Sequence, residues 1–380
     1  MRSAVTSDRH PHWVSGCSPR HCAITRKGTS IKNFVQKNIN LQSFPNLMDL
    51  STQNPFLIYL GATLFKPRMK KNAKANVIIH PETKEILERE HAPIYFAGIH
   101  RSFWETTALV VQLNQASTKT PYILMGDNLP FKKTAKKTGI ILYERTENKS
   151  IREKLVIKKQ TQETLKRHWL RNDDIIIFAG GGRAYDGIAK PFGKLGFEAA
   201  KEVSKEQEIY IVPFVVDYHS FRDNELETFI QYALGKDGGA QRLTFSDWIN
   251  FTQKMDTTYT RLGAPIPVTT EINIVELTQK SYNEALNLTK ILPENVLALA
   301  RQRAYSSILF KSEKINLEEV LKMLEPHKNL CELNNEKFWS AEQILEESKA
   351  PFKYPSKEDY AWSTHFVNLV KHQYEKINLI

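Results

Sequence analysis

His100 and Glu105 are the two residues of this chain whose types and spacing most directly suggest chemistry. They follow the apolar run 94–99, in which a glycine precedes the final isoleucine. If the chain turns into a helix after this run, both side chains can face one cleft. An imidazole held by a carboxylate is a general base, the group needed to remove a proton from an attacking hydroxyl.

This spacing alone is weak, because a histidine is followed by an acid five positions later at four places in the chain. The other three pairs are His80/Glu85, His168/Asp173 and His327/Glu332. Only His100 follows a buried-looking strand through a glycine, and catalytic groups of α/β proteins commonly emerge at such strand ends. The alternative for His100 is a buried histidine that serves only the core.

The elements that would position these residues are predicted from the pattern along the chain. Residues 1–30 resemble a disordered or targeting-like tail, being rich in Ser, Arg and His. Residues 31–75 are predicted as N-terminal helices. Residues 76–240 alternate strands and helices, which predicts an α/β core with a mixed, mostly parallel sheet flanked by helices. Residues 241–380 are predicted as a mostly helical C-terminal extension, with strand character only at 263–268.

Composition and charge restrict the class of partner. The 380 residues, 41% hydrophobic and 25% charged, are ordinary for a globular protein. The net charge of +11 indicates an anionic partner, either nucleic acid, anionic lipid or a phosphorylated small molecule. No aromatic–basic RNA motif is visible, so nucleic acid is disfavoured. Three cysteines cannot build a disulfide framework, which favours a reducing compartment.

The segment 56–65 is the longest plain apolar stretch, and several basic residues follow it directly. It is shorter than the roughly 18 to 20 residues of a membrane-spanning helix. A short apolar helix with a basic collar is typical of contact with an anionic membrane surface. We therefore predict a peripheral membrane protein on the cytoplasmic face. The alternative is a core helix with a charged exit.

Three later apolar runs end in residues suited to hold a phosphate or line a pocket. Arg145 follows the first of them, and an arginine fork matches phosphate geometry. Gly180–Gly182 and Arg183 follow the second, where backbone amides can bind an oxyanion. Pro213 interrupts the third and is expected at a sheet edge or pocket wall. Taken singly, Arg145 is explained equally well by a surface salt bridge and the glycines by a flexible turn.

Taken in order, the four segments resemble the acyltransferase blocks of glycerolipid synthesis, those of the glycerol-3-phosphate and lysophosphatidic acid acyltransferases. The matching segments are 100–105, 139–145, 178–187 and 212–213. Gly181-Gly182-Arg183 looks more like the glycerol-3-phosphate branch, which segments 261–266 and 292–298 resemble more loosely. The resemblance covers about residues 85 to 225 well.

The resemblance implies a role for each matching residue. His100 would be the general base and Glu105 its orienting carboxylate. The acceptor phosphate would be bound by Arg145, Gly181, Gly182, Arg183 and Lys194, and the pocket would include Ser102 and Pro213. The activity implied is that of an O-acyltransferase in phospholipid biosynthesis, which moves a fatty acyl group to a glycerol-3-phosphate-type acceptor. Acyl-CoA or acyl-ACP would be the co-substrate, with no bound cofactor and no metal.

Two departures from the family pattern leave alternatives open. The first block usually ends in aspartate, where this chain has Glu105, and the third usually carries a glutamate where this chain has Gly180. A lipid A-type late acyltransferase also uses histidine with a glutamate five residues later, which accounts for Glu105. A catalytically impaired peripheral membrane homologue accounts for Gly180.

Overall fold

The computed structural model describes parts of the unit Asp49–Ile380, while the unit Met1–Met48 lies outside the described residues. The predicted segments 1–30 and 31–75, including the apolar stretch 56–65, lie outside the described residues except for Ala75, which begins a strand. The described residues are 75–89, 92–101, 105–106, 109–110, 113, 119–127, 136–144, 146, 148–184, 186–218, 258–292, 295–299, 302, 322–323, 325–330 and 357–380.

Strands and helices alternate along most of this part of the chain. Strands β1 to β8 span Ala75–Ile79, Ile94–Gly98, Tyr122–Gly126, Ile140–Tyr143, Ile175–Phe178, Tyr210–Tyr218, Thr258–Leu262 and Ile266–Pro267. Helices α1 to α6 span Pro81–Leu87, Ile151–Leu170, Leu195–Val203, Ile274–Leu288, Lys357–Leu369 and Lys371–Lys376, and a 3-10 helix spans Glu325–Leu330. Residues 105–106, 109–110, 113 and 295–299 are also helical.

The strands form one sheet in the order β1-β7-β6-β2-β5-β3-β4, with β8 paired to β6. The five strands from β6 to β4 run parallel, so their carboxyl ends share one edge of the sheet. Strand β7 runs antiparallel to β6, and β1 runs parallel to β7. The predicted mixed, mostly parallel α/β sheet is thus confirmed.

Helices cover both faces of the sheet because its strands are apolar on both sides. On one face, Tyr95 packs against Trp169 of α2 and Phe197 of α3, with ring centroids 5.5 and 5.1 Å away. On the other face, Phe96 and Val212 belong to a buried cluster with α1 and the helical residues Leu109 and Leu113. The two buried layers hold the strand ends in fixed positions relative to one another.

Local chemistry explains where the long helix α2 begins. The Ser150 hydroxyl accepts a hydrogen bond from the Glu153 backbone N–H at 3.3 Å. The Glu153 carboxylate in turn accepts from the Ser150 backbone N–H at 2.8 Å. This reciprocal capping box satisfies two amides that the first helical turn leaves without partners.

Strand β7 was not predicted from the sequence. Its residues, Thr-Tyr-Thr-Arg-Leu, lack a continuous apolar run, yet all five are buried between β1 and β6. Arg261 is tolerated there because its guanidinium pairs with Asp217 on β6. Strands β7 and β8 both follow residue 240, the predicted end of the α/β core. The segment predicted as a helical extension therefore contributes two strands to the sheet.

Pro213 was predicted at a sheet edge or a pocket wall; it lies in an interior strand, so the sheet edge is wrong. Strand β6 pairs with β2 on one side and with β7 and β8 on the other. On that second side the ladder breaks between the pairs Ile211↔Ile266 and Phe214↔Leu262. The Pro213 carbonyl accepts from the Gly263 N–H at 2.8 Å and therefore faces the break. In a strand the N–H and C=O of one residue point to the same side. The N–H that proline lacks would therefore point to the place where the hydrogen-bond ladder is already interrupted, so no ladder bond is lost.

Candidate active site

His100 lies two residues beyond the carboxyl end of β2, and Glu105 lies in the helical turn that follows. The His100 Nδ1 and the Glu105 Oε2 are 2.9 Å apart. The Glu105 side chain is fully buried, whereas the His100 side chain keeps 19% of its surface exposed. The imidazole is therefore backed by a buried carboxylate and still reaches solvent at the edge where the parallel strands end.

The Glu105 carboxylate is held from a second direction. The backbone N–H of Arg101 donates to Glu105 Oε2 at 2.7 Å and to Oε1 at 3.0 Å. An ionised carboxylate is only an acceptor, so in the state with an ionised Glu105 and a neutral His100 the ring donates its Nδ1–H. This fixes the tautomer and leaves Nε2 as the basic nitrogen of the ring.

Two aromatic rings support the His100 imidazole by packing. The Phe178 ring, at the end of β5, stacks on the imidazole with centroids 4.1 Å apart. Phe214 of β6 meets Phe178 edge-on at 5.5 Å. A Cβ on Gly98 would lie only 2.1 Å from the Phe214 ring, so glycine at this position makes room for that ring. The strand-end glycine noted in the sequence thus has a packing role in supporting the histidine.

The glycine-rich loop after β5 lies beside His100. The backbone N–H of Ala184 donates to the His100 carbonyl at 2.8 Å, which brings the neighbouring Arg183 backbone to the same strand edge. Gly181 has a φ of +78°, a conformation that favours glycine. Lys190 reaches back and donates to the Arg183 carbonyl at 3.2 Å. Gly181, Gly182 and Arg183 are therefore close in the fold to His100, as their predicted roles require.

The other predicted site residues are less closely connected to His100. Lys194 is exposed at the residue before α3. Ser102 and Arg145 lie outside the described residues, and β4, which leads toward Arg145, is separated from β2 by β5 and β3. Pro213 pairs with Ala97 in the β2–β6 ladder and is buried. Their roles in binding stay predictions.

The structure gives a packing reason for Gly180, where the family resemblance leads one to expect a glutamate. A Cβ at this position would lie 3.2 Å from both the Cβ and the carbonyl oxygen of Lys190. That distance is tighter than an ordinary van der Waals contact, so a Cβ would require Lys190 to shift by a few tenths of an ångström. Glycine at position 180 thus permits the close approach of Lys190 within the same loop.

A second histidine–carboxylate pair shows that the contact alone does not identify a site. His168 Nδ1 lies 2.8 Å from Asp173 Oδ2, but the His168 ring is completely buried. Arg171 also donates to Asp173, at 2.7 Å. The neighbouring Asp174 accepts from the backbone N–H of Ile94 at the start of β2, which places this pair at the opposite edge of the sheet. Position and exposure, rather than spacing, set His100 apart.

Sequence reasoning missed a buried group of charges next to His100. The Arg101 side chain donates to Asp217 at 2.9 Å and to Thr289 at 3.0 Å, and Arg261 also pairs with Asp217. Arg101, Asp217 and Arg261 are all at most 4% exposed. A local signal was present, since a charged residue directly after the long apolar run of β6 is unusual in a buried strand. Its partners are too distant in sequence to be found that way.

Within the described residues, no cluster of three or more His, Cys, Asp or Glu side chains is arranged to hold a metal ion. In the same part of the chain, no helix has the length and apolar character needed to cross a bilayer.

No protein-family model matches the chain, and no curated protein matches it. Among solved structures, the 1-acyl-sn-glycerophosphate (LPA) acyltransferase PlsC from Thermotoga maritima is similar over 60% of this chain and 78% of its own. Sequence identity is 12% and the TM-score is 0.35. Similarity at this level establishes neither family nor activity.

Proposed function

We propose that this protein is an O-acyltransferase that moves a fatty acyl group from a thioester to a hydroxyl of a glycerol-3-phosphate-type acceptor in phospholipid biosynthesis. The observation that carries the proposal is the partly exposed His100 imidazole, backed at 2.9 Å by the buried Glu105 at the carboxyl edge of the sheet. A general base in this setting is suited to activating a hydroxyl. The order of the other sequence blocks suggests the acceptor.

The proposed reaction is direct acyl transfer. His100 Nε2 takes the proton from the acceptor hydroxyl as its oxygen attacks the thioester carbonyl. The new ester C–O bond forms and the C–S bond breaks, and the departing thiolate of CoA or acyl carrier protein takes the proton from the imidazolium. Glu105 keeps the ring in its tautomer and stabilises the imidazolium. The step requires no metal ion and no bound cofactor.

We propose that the acceptor phosphate lies against the glycine-rich loop. Arg183, Lys194 and the amides of Gly181 and Gly182 would bind it, together with Arg145. The bond between Ala184 and the His100 carbonyl supports this assignment, because it brings the loop to the base. Fixing the phosphate would aim the hydroxyl at Nε2, which is catalysis by orientation.

We also propose that the carboxyl edge of the sheet faces an anionic membrane on the cytoplasmic side. Helices α2 and α3 run in the same direction, since Lys158 of α2 pairs with Glu198 of α3, and Lys166, further along α2, pairs with Glu206 just after α3 ends. The first turn of α2 therefore lies beside the start of α3, near Lys194.

The side chains at that place suit a lipid surface. Ile151 and Leu155, one turn apart on α2, are 80% and 50% exposed, and Ile188 in the loop after β5 is 45% exposed. Arg152 and Lys154 are exposed on the same turn of α2. Exposed apolar residues among basic ones are typical of a peripheral membrane contact.

Transfer assays test the proposal. The purified protein is incubated with labelled acyl-CoA or acyl carrier protein and with glycerol 3-phosphate, lysophosphatidate or a lipid A precursor. We expect ester formation on glycerol 3-phosphate. His100→Gln should lower the rate by about 100-fold or more, the usual contribution of a general base. Asp173→Asn is the matched control, because it alters the other histidine–carboxylate pair and should leave the rate unchanged.

Three results would count against the proposal. Full activity in His100→Gln would remove the base. Transfer only to the lipid A precursor would favour the late acyltransferase alternative. Binding to vesicles without thioester consumption under any acceptor would favour a catalytically impaired homologue.

A further inference from the structure

Arg101 connects the proposed base to a part of the protein that is far away in sequence. Its backbone N–H holds both oxygens of Glu105, at 2.7 and 3.0 Å. Its side chain points into the core, fully buried, where Nη1 donates to Asp217 Oδ1 at 2.9 Å and Nη2 donates to Thr289 Oγ1 at 3.0 Å. Arg101 thus contributes both the backbone amide that orients the Glu105 carboxylate and a side chain that is hydrogen-bonded to Asp217 and Thr289.

The anchor is a buried ionic group in which Asp217 lies between two guanidinium groups. Its second oxygen accepts from Arg261 Nη1, and the backbone N–H of Lys290 lies 3.4 Å from the same oxygen. Arg261 also lies over the ring of Tyr259, with its Cζ 5.4 Å from the centroid. Buried ion pairs are geometrically demanding because a displaced partner leaves a charge without compensation. The position of the Arg101 side chain is therefore tightly determined.

The C-terminal helix α6 holds the other end of the anchor. Gln373 Nε2 donates to the Thr289 carbonyl at 2.8 Å and approaches the Leu286 carbonyl at 3.3 Å. His372 also bonds to the Leu286 carbonyl. These contacts fix the turn after α4, which presents the Thr289 hydroxyl to Arg101. Helix α6 is thus linked to Glu105 by a continuous series of short contacts.

We infer that Arg101 is a positioning residue for the His100–Glu105 pair, and that the anchor formed by Asp217, Thr289 and helix α6 keeps its backbone amide in place. Stability alone is a weak reason for such a group, since well-packed apolar residues commonly serve as well as a buried ion pair. Placing the amide that holds Glu105 is a reason specific to this position. Through this anchor, helix α6 at the C-terminal end helps to position Glu105.

Arg101→Met is the main test. Methionine is a shorter, unbranched and uncharged side chain, and Asp217 keeps Arg261 as a partner, so no acid is left alone in the core. The amide can then drift and loosen its hold on Glu105. We expect kcat for acyl transfer to fall by roughly 10- to 100-fold, the scale of a small misplacement of catalytic groups. The KM for the acyl donor should change by less than about threefold, because the Arg101 side chain is fully buried and does not line an exposed surface.

A spectroscopic measurement makes the test independent of the proposed function, on which only the kinetic part rests. In ¹⁵N NMR of the histidine side chains, wild-type His100 should be the Nδ1–H tautomer. Arg101→Met should give a mixture with the Nε2–H form. Arg171→Met is the matched control, because Arg171 contacts the other histidine–carboxylate pair. It should leave both kcat and the His100 tautomer unchanged.

Thr289→Val provides a second variant that removes only one of the two anchoring bonds. It should give a smaller change in tautomer and kcat in the same direction. A wild-type tautomer in folded Arg101→Met would overturn the positioning role. If Arg101→Met does not fold, a wild-type tautomer in Thr289→Val would do the same. A shifted tautomer in a protein without transferase activity would refute the proposed function alone.

Discussion

At the scale of single residues, the most instructive contrast is between the pairs His100–Glu105 and His168–Asp173. Both rings lie within 3 Å of a carboxylate five positions later. His168 is sealed in the core with its ring 4.5 Å from that of Tyr122, whereas His100 stays partly exposed at the carboxyl edge. A spacing motif therefore predicts a contact, and the location of the contact decides whether a substrate can use it.

Gly98→Ala should destabilise the protein. The added Cβ would fall between 2.1 and 2.6 Å from three carbons of the fully buried Phe214 ring, so strand or ring must shift. Overpacking of this kind costs about 1 to 3 kcal/mol. Urea unfolding followed by circular dichroism measures the change.

Gly182→Ala is the control for that substitution, since a Cβ there would meet nothing within 4 Å. Its free energy of unfolding should differ from wild type by less than about 0.5 kcal/mol. Equal stability of Gly98→Ala and wild type would mean that the ring of Phe214 does not restrict position 98.

At the scale of secondary-structure elements, the docking of α6 on α4 involves a titratable group. Burial, together with the positive charge of Arg101, lowers the pKa of His372 from 6.5 to about 4. The neutral ring donates from Nε2 to the Leu286 carbonyl. Between pH 6.5 and 4 the unfolded chain binds a proton at this position that the folded protein does not, so folding loses stability as the pH falls.

The difference in the His372 pKa between the folded and unfolded protein predicts how the free energy of unfolding changes in acid. His372 should contribute no pH dependence above about pH 7 and should reduce the free energy of unfolding by up to about 3 kcal/mol between pH 6.5 and 4. In His372→Gln, an amide can still donate to Leu286 but does not titrate. Urea unfolding at pH 7, 5.5 and 4 should show a flatter pH dependence for this variant.

The same slope in wild type and His372→Gln would show that His372 titrates alike in the folded and unfolded states.

At the scale of the whole molecule, the carboxyl edge combines the proposed base, the glycine-rich loop and the exposed apolar turn of α2. The proposed substrate, with a fatty chain and a phosphate, would use a lipid-facing surface and a cationic pocket. The base, the glycine-rich loop and the apolar turn lie at one edge because all the parallel strands have their carboxyl ends there. Membrane attachment at this edge would present the site to its substrates.

Ile151→Ser combined with Leu155→Ser should weaken binding to anionic vesicles. The two side chains are 80% and 50% exposed and would each lose a large part of the free energy of transfer into lipid. We expect the partition coefficient, measured by sedimentation with vesicles, to fall by about tenfold or more. Acyl transfer to a water-soluble acceptor and donor should be retained.

Val275→Ser is the matched control for this surface. Val275 is 55% exposed at the start of α4, beside Ile272, whose carbonyl accepts from Lys201 near the end of α3. It therefore lies at the opposite end of α3 from Lys194. Undiminished vesicle binding by the α2 double variant would exclude this turn as the contact.

The sequence by itself determined the features that rest on neighbours along the chain. Apolar runs marked the parallel strands, and their alternation with helical patterns gave the α/β class. The turn from β2 into a helix brought His100 and Glu105 into reach, because five positions there correspond to little more than one helical turn.

Tertiary structure alone decided the features that join distant segments. Arg101 meets Asp217 and Thr289, which are 116 and 188 positions further along the chain. Strand β7 has no apolar run of its own and is held by pairing with β1 and β6. Hydrophobic periodicity is a local signal, whereas buried ionic contacts and strand order depend on which surfaces meet when the chain closes on itself.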